Sequence, residues 1–220
     1  MFKMLTFRLK DVENRNLRIL CLGAHSDDIE IGCSGTLLRM IDDGLNIKIH
    51  WVVLGAMGVR SEEAVNSAKG VLSGVQDKEI TIKGFRDGFF PYHGEKIKEY
   101  FEQLKSGMNP DIIFTHYRRD LHQDHRLISE LTWNTFRNHL ILEYEIPKYD
   151  GDLSSPNFFV HLNQEICERK ILHLTSSFIS QADKHWFSDE TFWALLRLRG
   201  IESKSPGKYA EAFYCRKMVF

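Results

Sequence analysis

Two short polar clusters hold the residues able to do chemistry. The first, Ala24-His25-Ser26-Asp27-Asp28-Ile29-Glu30, sets one imidazole and three carboxylates directly after an apolar run. His25 and Asp28, three apart in a tight turn, can aim a ring nitrogen and a carboxylate oxygen at one ion, and zinc accepts both ligand types. Asp27 lies between them without needing to coordinate, so its carboxylate is free to take a proton from an attacking water. The bland alternative is that Asp27 or Asp28 caps the following helix. Glu30 reads as support for the loop or as a solvated side chain.

The second cluster runs from His116 to His125 (HYRRDLHQDH), with three histidines and two aspartates in ten residues. His125 closes a His25, Asp28, His125 set and leaves a fourth position open, as catalytic rather than structural zinc sites do. His122, one helical turn earlier, can face the same substrate without binding metal. Its expected task is to stabilise an oxyanion or protonate a leaving amine. Asp124 is expected to hydrogen-bond the His122 imidazole, raising its pKa and fixing its orientation. Asp120 reads as a loop-shaping or supporting carboxylate, and His116 as a polar strand terminus. A surface loop with incidental histidines competes with this reading, but the first cluster lacks the third ligand that the second supplies.

These clusters need strands and helices to position them. Leu17 to Leu22 reads as a buried strand running into a loop, and Thr36 to Ile41 has helical spacing ended by Asp42, Asp43 and Gly44. The glycines Gly32 and Gly35 suggest a close turn into that helix. Asn46 to Leu54 reads as a strand, Glu62 to Leu72 as a helix and Glu79 to Ile82 as a strand. Ile97, Tyr100, Phe101 and Leu104 mark a helical face, and Asp111 to Thr115 another strand. This alternation predicts a Rossmann-like three-layer α/β fold, with a mostly parallel central sheet and helices on both faces. Ligands of such sheets bind beyond the carboxyl ends of the strands, and both clusters fall just after predicted strands. Lys148 to Asn157 is turn-rich and reads as a surface loop or lid. Helices from about Gln164 to Ser180 and from Glu190 to Arg199 follow, then a last strand from Ala212 to Val219.

Length and composition bound the rest. One domain over residues 1–220 is expected. The 29 basic residues nearly balance the 30 acidic ones, for a net charge of -1, so no electrostatic footprint favours nucleic acid or an anionic membrane. Cys21, Cys33, Cys167 and Cys215 form no C-x-x-C pair and suit reduced thiols of a cytoplasmic protein. The opening MFKMLTFRLKDVENR is interrupted by charge too early for a signal-peptide core, and no stretch has the length of a membrane span. Homo-oligomer formation is left open.

The segments A-H-S-D-D-I-E-I-G-C-S-G-T-L and D-L-H-Q-D-H-R resemble the LmbE-like, or PIG-L, family of zinc-dependent N-deacetylases, whose usual patterns are A-H-P-D-D-E and H-x-D-H. The likeness extends over most of the chain, including Gly58 to Ala68, Ser180-Gln181 and Tyr209 to Phe213. It implies that His25, Asp28 and His125 hold the metal, that Asp27 is the general base and that His122 assists the tetrahedral intermediate. It also implies an N-acetylated amino sugar as substrate, with Arg60 at a position of substrate contact. A solvent-facing Arg60 capping the helix region is the alternative. Ser26 stands where proline is usual, and Ile29 displaces the third carboxylate by one position. Zn2+ is the expected cofactor, and Fe2+ also suits a mixed nitrogen and oxygen site in a reducing cell. The aromatic stretch Phe85 to His93 is a candidate lining for a sugar pocket.

Two rivals come from other classes. A nucleotide- or S-adenosylmethionine-dependent transferase would use the glycine-bearing segment after the first strand, against which the His-Asp-Asp cluster argues. A catalytically silent sugar-binding module would have no need of Asp27 and His122.

Overall fold

The computed structural model describes residues 16–219, so the opening segment just discussed lies outside the described residues. Among the described residues seven strands form one sheet: β1 (Leu17–His25), β2 (Ile47–Gly55), β3 (Asp77–Ile82), β4 (Ile112–His116), β5 (Leu140–Tyr144), β6 (Phe158–Leu162) and β7 (Tyr209–Cys215). Their order is β3-β2-β1-β4-β5-β7-β6. The first five run parallel, and β7 is antiparallel to both β5 and β6.

Among the described residues six α-helices cover the sheet: α1 (Asp28–Asp42), α2 (Val59–Val71), α3 (Gly94–Gly107), α4 (Gln123–Thr135), α5 (Gln164–Ser177) and α6 (Asp189–Glu202). The two-residue period of β1 divides the core. Leu17, Ile19 and Cys21 pack with apolar residues of α1, α2, α5 and α6. Leu20, Leu22 and Ala24 pack with α3 and α4 on the other face. A strand buried on both faces reads as a continuous apolar run, which is why LRILCL was legible. The three-layer α/β expectation is therefore met. Strand order reverses about β1, with β2 on one side and β4 on the other, so the crevice for a ligand opens at their carboxyl ends.

Helix α1 corrects the reading of the first glycines. It begins at Asp28, eight residues before the predicted segment, and Gly32 and Gly35 lie inside it rather than in a turn. Both serve close approach. A Cβ on Gly32 would lie 2.3 Å from Tyr144 Cδ2, and one on Gly35 would lie 2.8 Å from Glu211 Oε1. Glu211 reaches into the helix ladder itself, accepting the amides of Gly35 (2.8 Å) and Thr36 (2.6 Å). Lys170 donates to the Ile31 carbonyl (2.6 Å) and to Glu211 (2.5 Å). Alanine normally gains about 1 kcal/mol over glycine inside a helix. At Gly32 the sign reverses, because the Tyr144 ring is fully buried and its hydroxyl is tied to the Leu22 carbonyl at 2.6 Å. Gly32→Ala is expected to destabilise the protein by about 1–3 kcal/mol, read as a fall in Tm of about 2–4 °C per kcal/mol.

Strands β5 and β6 and helix α4 were not anticipated, and β7 lies three residues earlier than expected. For β5 and β7 the cause is buried charge. Glu143, Glu145, Glu211, Lys170 and Arg199 are all buried on or beside this half of the sheet, which breaks the apolar pattern. Arg199 pairs with Glu145 (2.7 Å), Lys170 with Glu211 and Arg216 with Glu143 (2.8 Å), so each charge is compensated. Among the described residues, Cys21, Cys33 and Cys167 are buried and unpaired thiols, and no helix is long and apolar enough to cross a membrane.

Candidate metal centre and active site

His25 is the last residue of β1, and the chain turns through Ser26 and Asp27 directly into α1. His116 ends the neighbouring β4, and His122 caps α4, placing Asp124 and His125 in its first turn. The parallel pairing of β1 with β4 therefore brings together two clusters about 100 residues apart in sequence.

Donor atoms of three residues converge, with Asp28 turning one oxygen toward each histidine. His25 Nδ1 lies 3.1 Å from His125 Nε2 and 3.4 Å from Asp28 Oδ2, and His125 Nε2 lies 3.6 Å from Asp28 Oδ1. A tetrahedral zinc at about 2.1 Å sets its ligand atoms about 3.4 Å apart, so the spacing suits such an ion. Each donor is held from behind. Asp28 Oδ2 accepts the His25 amide at 2.6 Å. His125 Nδ1 donates to Asp120 Oδ2 at 2.9 Å, which leaves the Nε2 lone pair facing the centre. Burial, with the His116 ring beside it, pushes His125 down to about 3, which keeps its imidazole neutral. Burial pushes His25 down as well, but Asp28, Asp124 and Asp87 around it prevail and hold it above its ordinary value. The pocket thus favours positive charge.

His116 is the residue that sequence reading undervalued. It is fully buried, stacks on His125 with ring centroids 3.9 Å apart and lies 3.2 Å from Asp28 Oδ2. With Asp28 and His125 it forms a second convergent set. However, His116 Nε2 already accepts the Ala24 amide at 2.9 Å, so that lone pair is spent. The three histidines His25, His122 and His125 also converge.

Asp27 occupies the cap position of α1 but makes no capping hydrogen bond, and its Oδ2 is buried without a partner. Burial and the adjacent Asp28 push its carboxyl up to about 6, against the pull of Arg60 and His25. Few buried carboxylate oxygens are left unpaired without a reason. His122 is half-buried, with its ring 4.9 Å from that of His25 and 4.6 Å from that of His125. Its Nδ1 accepts the Asp124 amide at 3.3 Å, so Nε2 carries the proton. Burial and His25 lower its pKa, which keeps the ring neutral.

Asp124 differs from expectation. Its carboxylate lies 3.2 Å from His25 Nε2 and accepts the amides of Gly88 (2.7 Å) and Phe90 (3.1 Å). Its carboxylate therefore holds the His25 imidazole rather than that of His122. The reason is geometric: the backbone amide of Asp124 meets the His122 ring, while its side chain points back into the sheet end. Asp87, which no spacing in the chain singles out, shares His25 Nε2 at 3.1 Å.

Arg60 reaches across the mouth of the site instead of facing solvent. It donates to Asp87 (2.8 Å) and to Ser26 Oγ (3.2 Å), and its guanidinium lies 4.0 Å from Asp27. Serine in the place of the usual proline thus provides an acceptor that holds Arg60. Glu30 points away from the centre, accepting from Ser67 of α2 at 2.5 Å, and ties α1 to α2. The stretch 85–93 divides: Phe90 is fully buried, whereas Phe89 and Tyr92 are exposed beside Asp87.

The first glycines pack against Tyr144 and Glu211 and leave no open phosphate-binding turn, which weighs against the transferase. Comparison with known proteins agrees. The E. coli K12 protein named uncharacterized deacetylase YaiS is 29% identical over 157 residues, covering 67% of this chain and 83% of the relative. The fold superposes on N,N'-diacetylchitobiose deacetylase from Pyrococcus horikoshii with a TM-score of 0.68 at 21% identity, over 94% of this chain and 86% of that one. It superposes also on GalB, a 4-carboxy-2-hydroxymuconate hydratase from Pseudomonas putida, with a TM-score of 0.66 at 15% identity, over 93% and 98%. The fold alone therefore does not choose a reaction. The family model described as GlcNAc-PI de-N-acetylase matches residues 20–136, a span that contains both polar clusters. More than half of its length being matched, the chain belongs to the PIG-L, or LmbE-like, family of deacetylases.

Proposed function

We propose that the protein is a metal-dependent hydrolase, one domain over residues 1–220, that removes the N-acetyl group from an amino-sugar-containing small molecule. The observation that carries this reading is the unpaired, buried Oδ2 of Asp27 beside the His25, Asp28, His125 donor set. A binding module has no use for such a group, and a hydrolase needs it as a base. The diacetylchitobiose named for the Pyrococcus horikoshii protein supports the choice of an amino sugar.

A zinc-type ion, Zn2+ or Fe2+, held by His25, Asp28 and His125 would polarise the acetamide carbonyl and make the water beside it more acidic. Asp27 takes the proton of that water as the oxygen attacks the carbonyl carbon. His122, neutral and protonated on Nε2, donates a hydrogen bond to the oxygen on which charge develops. Asp27 then passes its proton to the nitrogen as the carbon–nitrogen bond breaks, releasing acetate and a free amine. Asp124 and Asp120 hold the two ligand imidazoles in place. Arg60 and Asp87, paired at the mouth, offer a donor and an acceptor to sugar hydroxyls.

The test is acetate release from a panel containing N-acetylglucosamine, N,N'-diacetylchitobiose and a nucleotide-linked N-acetylglucosamine, beside O-acetylated sugars. Acetate and free amine in equal amounts from an N-acetylated member is the expected result. Release from the O-acetylated sugars alone would reject the reading.

A further inference from the structure

The turn-rich stretch from Lys148 to Asn157 lies between β5 and β6, and it touches the metal centre through one buried amine. The Lys148 side chain is only 9% exposed. Its Nζ donates to Asp120 Oδ2 at 2.9 Å, to Asp152 Oδ2 at 2.6 Å and to the Ile146 carbonyl at 3.3 Å. Asp120 Oδ2 is the same oxygen that accepts from His125 Nδ1. Asp120 Oδ1 accepts the His122 amide at 2.8 Å, and Asp152 Oδ2 accepts the Leu121 amide at 2.7 Å. One ammonium thus joins the loop after β5 to the segment that presents His122 and His125.

We infer that Lys148 is a positioning residue for the metal ligand His125, acting through Asp120. Asp120 and Asp152 both meet the same Nζ, so removing the ammonium would leave two nearly buried carboxylates facing each other. Two unneutralised charges in a buried site repel strongly and are poorly solvated. Asp120 would relieve this by swinging away from Asp152, which deprives His125 Nδ1–H of its acceptor and loosens the aim of Nε2. The role of the loop is then to set metal affinity rather than to close over substrate.

This inference rests on His125 being a ligand, and the experiment separates the two claims. Zinc affinity is measured by competition with a chromophoric chelator, and coordination by the visible absorption of the cobalt-substituted protein. Lys148→Met is expected to weaken zinc binding about 10–100-fold and to alter the cobalt bands, the range seen when the partner of a ligating histidine is lost. Lys148→Arg, which keeps the charge, is expected to restore most of the affinity. Lys148→Gln serves if the methionine variant does not fold, with the same direction expected. Wild-type affinity and an unchanged cobalt spectrum in a folded Lys148→Met or Lys148→Gln protein would overturn the inference. Unchanged affinity in His125→Ala would instead remove the ligand assignment beneath it.

Discussion

Asp27→Asn is expected to lower kcat about 10²–10⁴-fold, the usual contribution of a general base, while the protein still binds metal as the wild type does. Asparagine keeps the size and shape of the side chain and removes its capacity to accept a proton. Beyond a guanidinium 4.0 Å from its Oδ1, Asp27 has no structural task in the fold. Asp27 makes no capping bond to α1, and Oδ2 has no hydrogen-bond partner although it is buried. A structural aspartate would show the reverse pattern, with partners on both oxygens and a loss of stability on substitution. Kinetics on protein with matched metal content and a thermal melt check this together. Unchanged turnover rejects the base assignment.

The second large effect separates ligands from their neighbours. His125→Ala is expected to weaken metal binding by more than about 100-fold, beyond the cost of losing a supporting partner, and to abolish turnover. His122→Ala is expected to keep its metal and lose about 10²–10³ in kcat, as removal of one oxyanion donor does. These two histidines have rings only 4.6 Å apart, so proximity alone does not assign them. Their second nitrogens support different roles. Nδ1 of His125 donates to Asp120, freeing Nε2 as a lone pair, whereas Nδ1 of His122 accepts from the Asp124 amide, leaving Nε2 as a donor. Metal content by elemental analysis, taken beside kcat for both variants, checks the assignment. Loss of metal from His122→Ala would favour the three-histidine set instead.

Much of this was readable from the chain. The apolar run before His25 and the DIIFT run before His116 marked two central parallel strands, and parallel pairing places their carboxyl ends side by side. That is enough to bring both clusters to one crevice. The extent of α1 was hidden because Gly32 and Gly35 read as breakers, when they are points where Tyr144 and Glu211 press against the helix. The far half of the sheet was hidden by its buried ion pairs. In the site, the residue types named the chemistry, but hydrogen-bond partners depend on which atom of a side chain faces which neighbour. That is why the spacing points Asp124 to His122 when its carboxylate meets His25, and why nothing in the chain shows that His116, which does end β4, also faces Asp28 and His125. Asp87 and Lys148 lie on loops whose ends meet the site only after the sheet has formed, and no spacing rule reaches them.

The most direct test of the central claim is acetate release from N-acetylated amino sugars by one protein sample in three states: metal-loaded, stripped by a chelator, and reloaded. Expected is turnover in the first state, none in the second and recovery in the third, with acetate and free amine formed in equal amounts. Full turnover by the stripped protein, or no acetate from any member of the panel by the loaded protein, would contradict it.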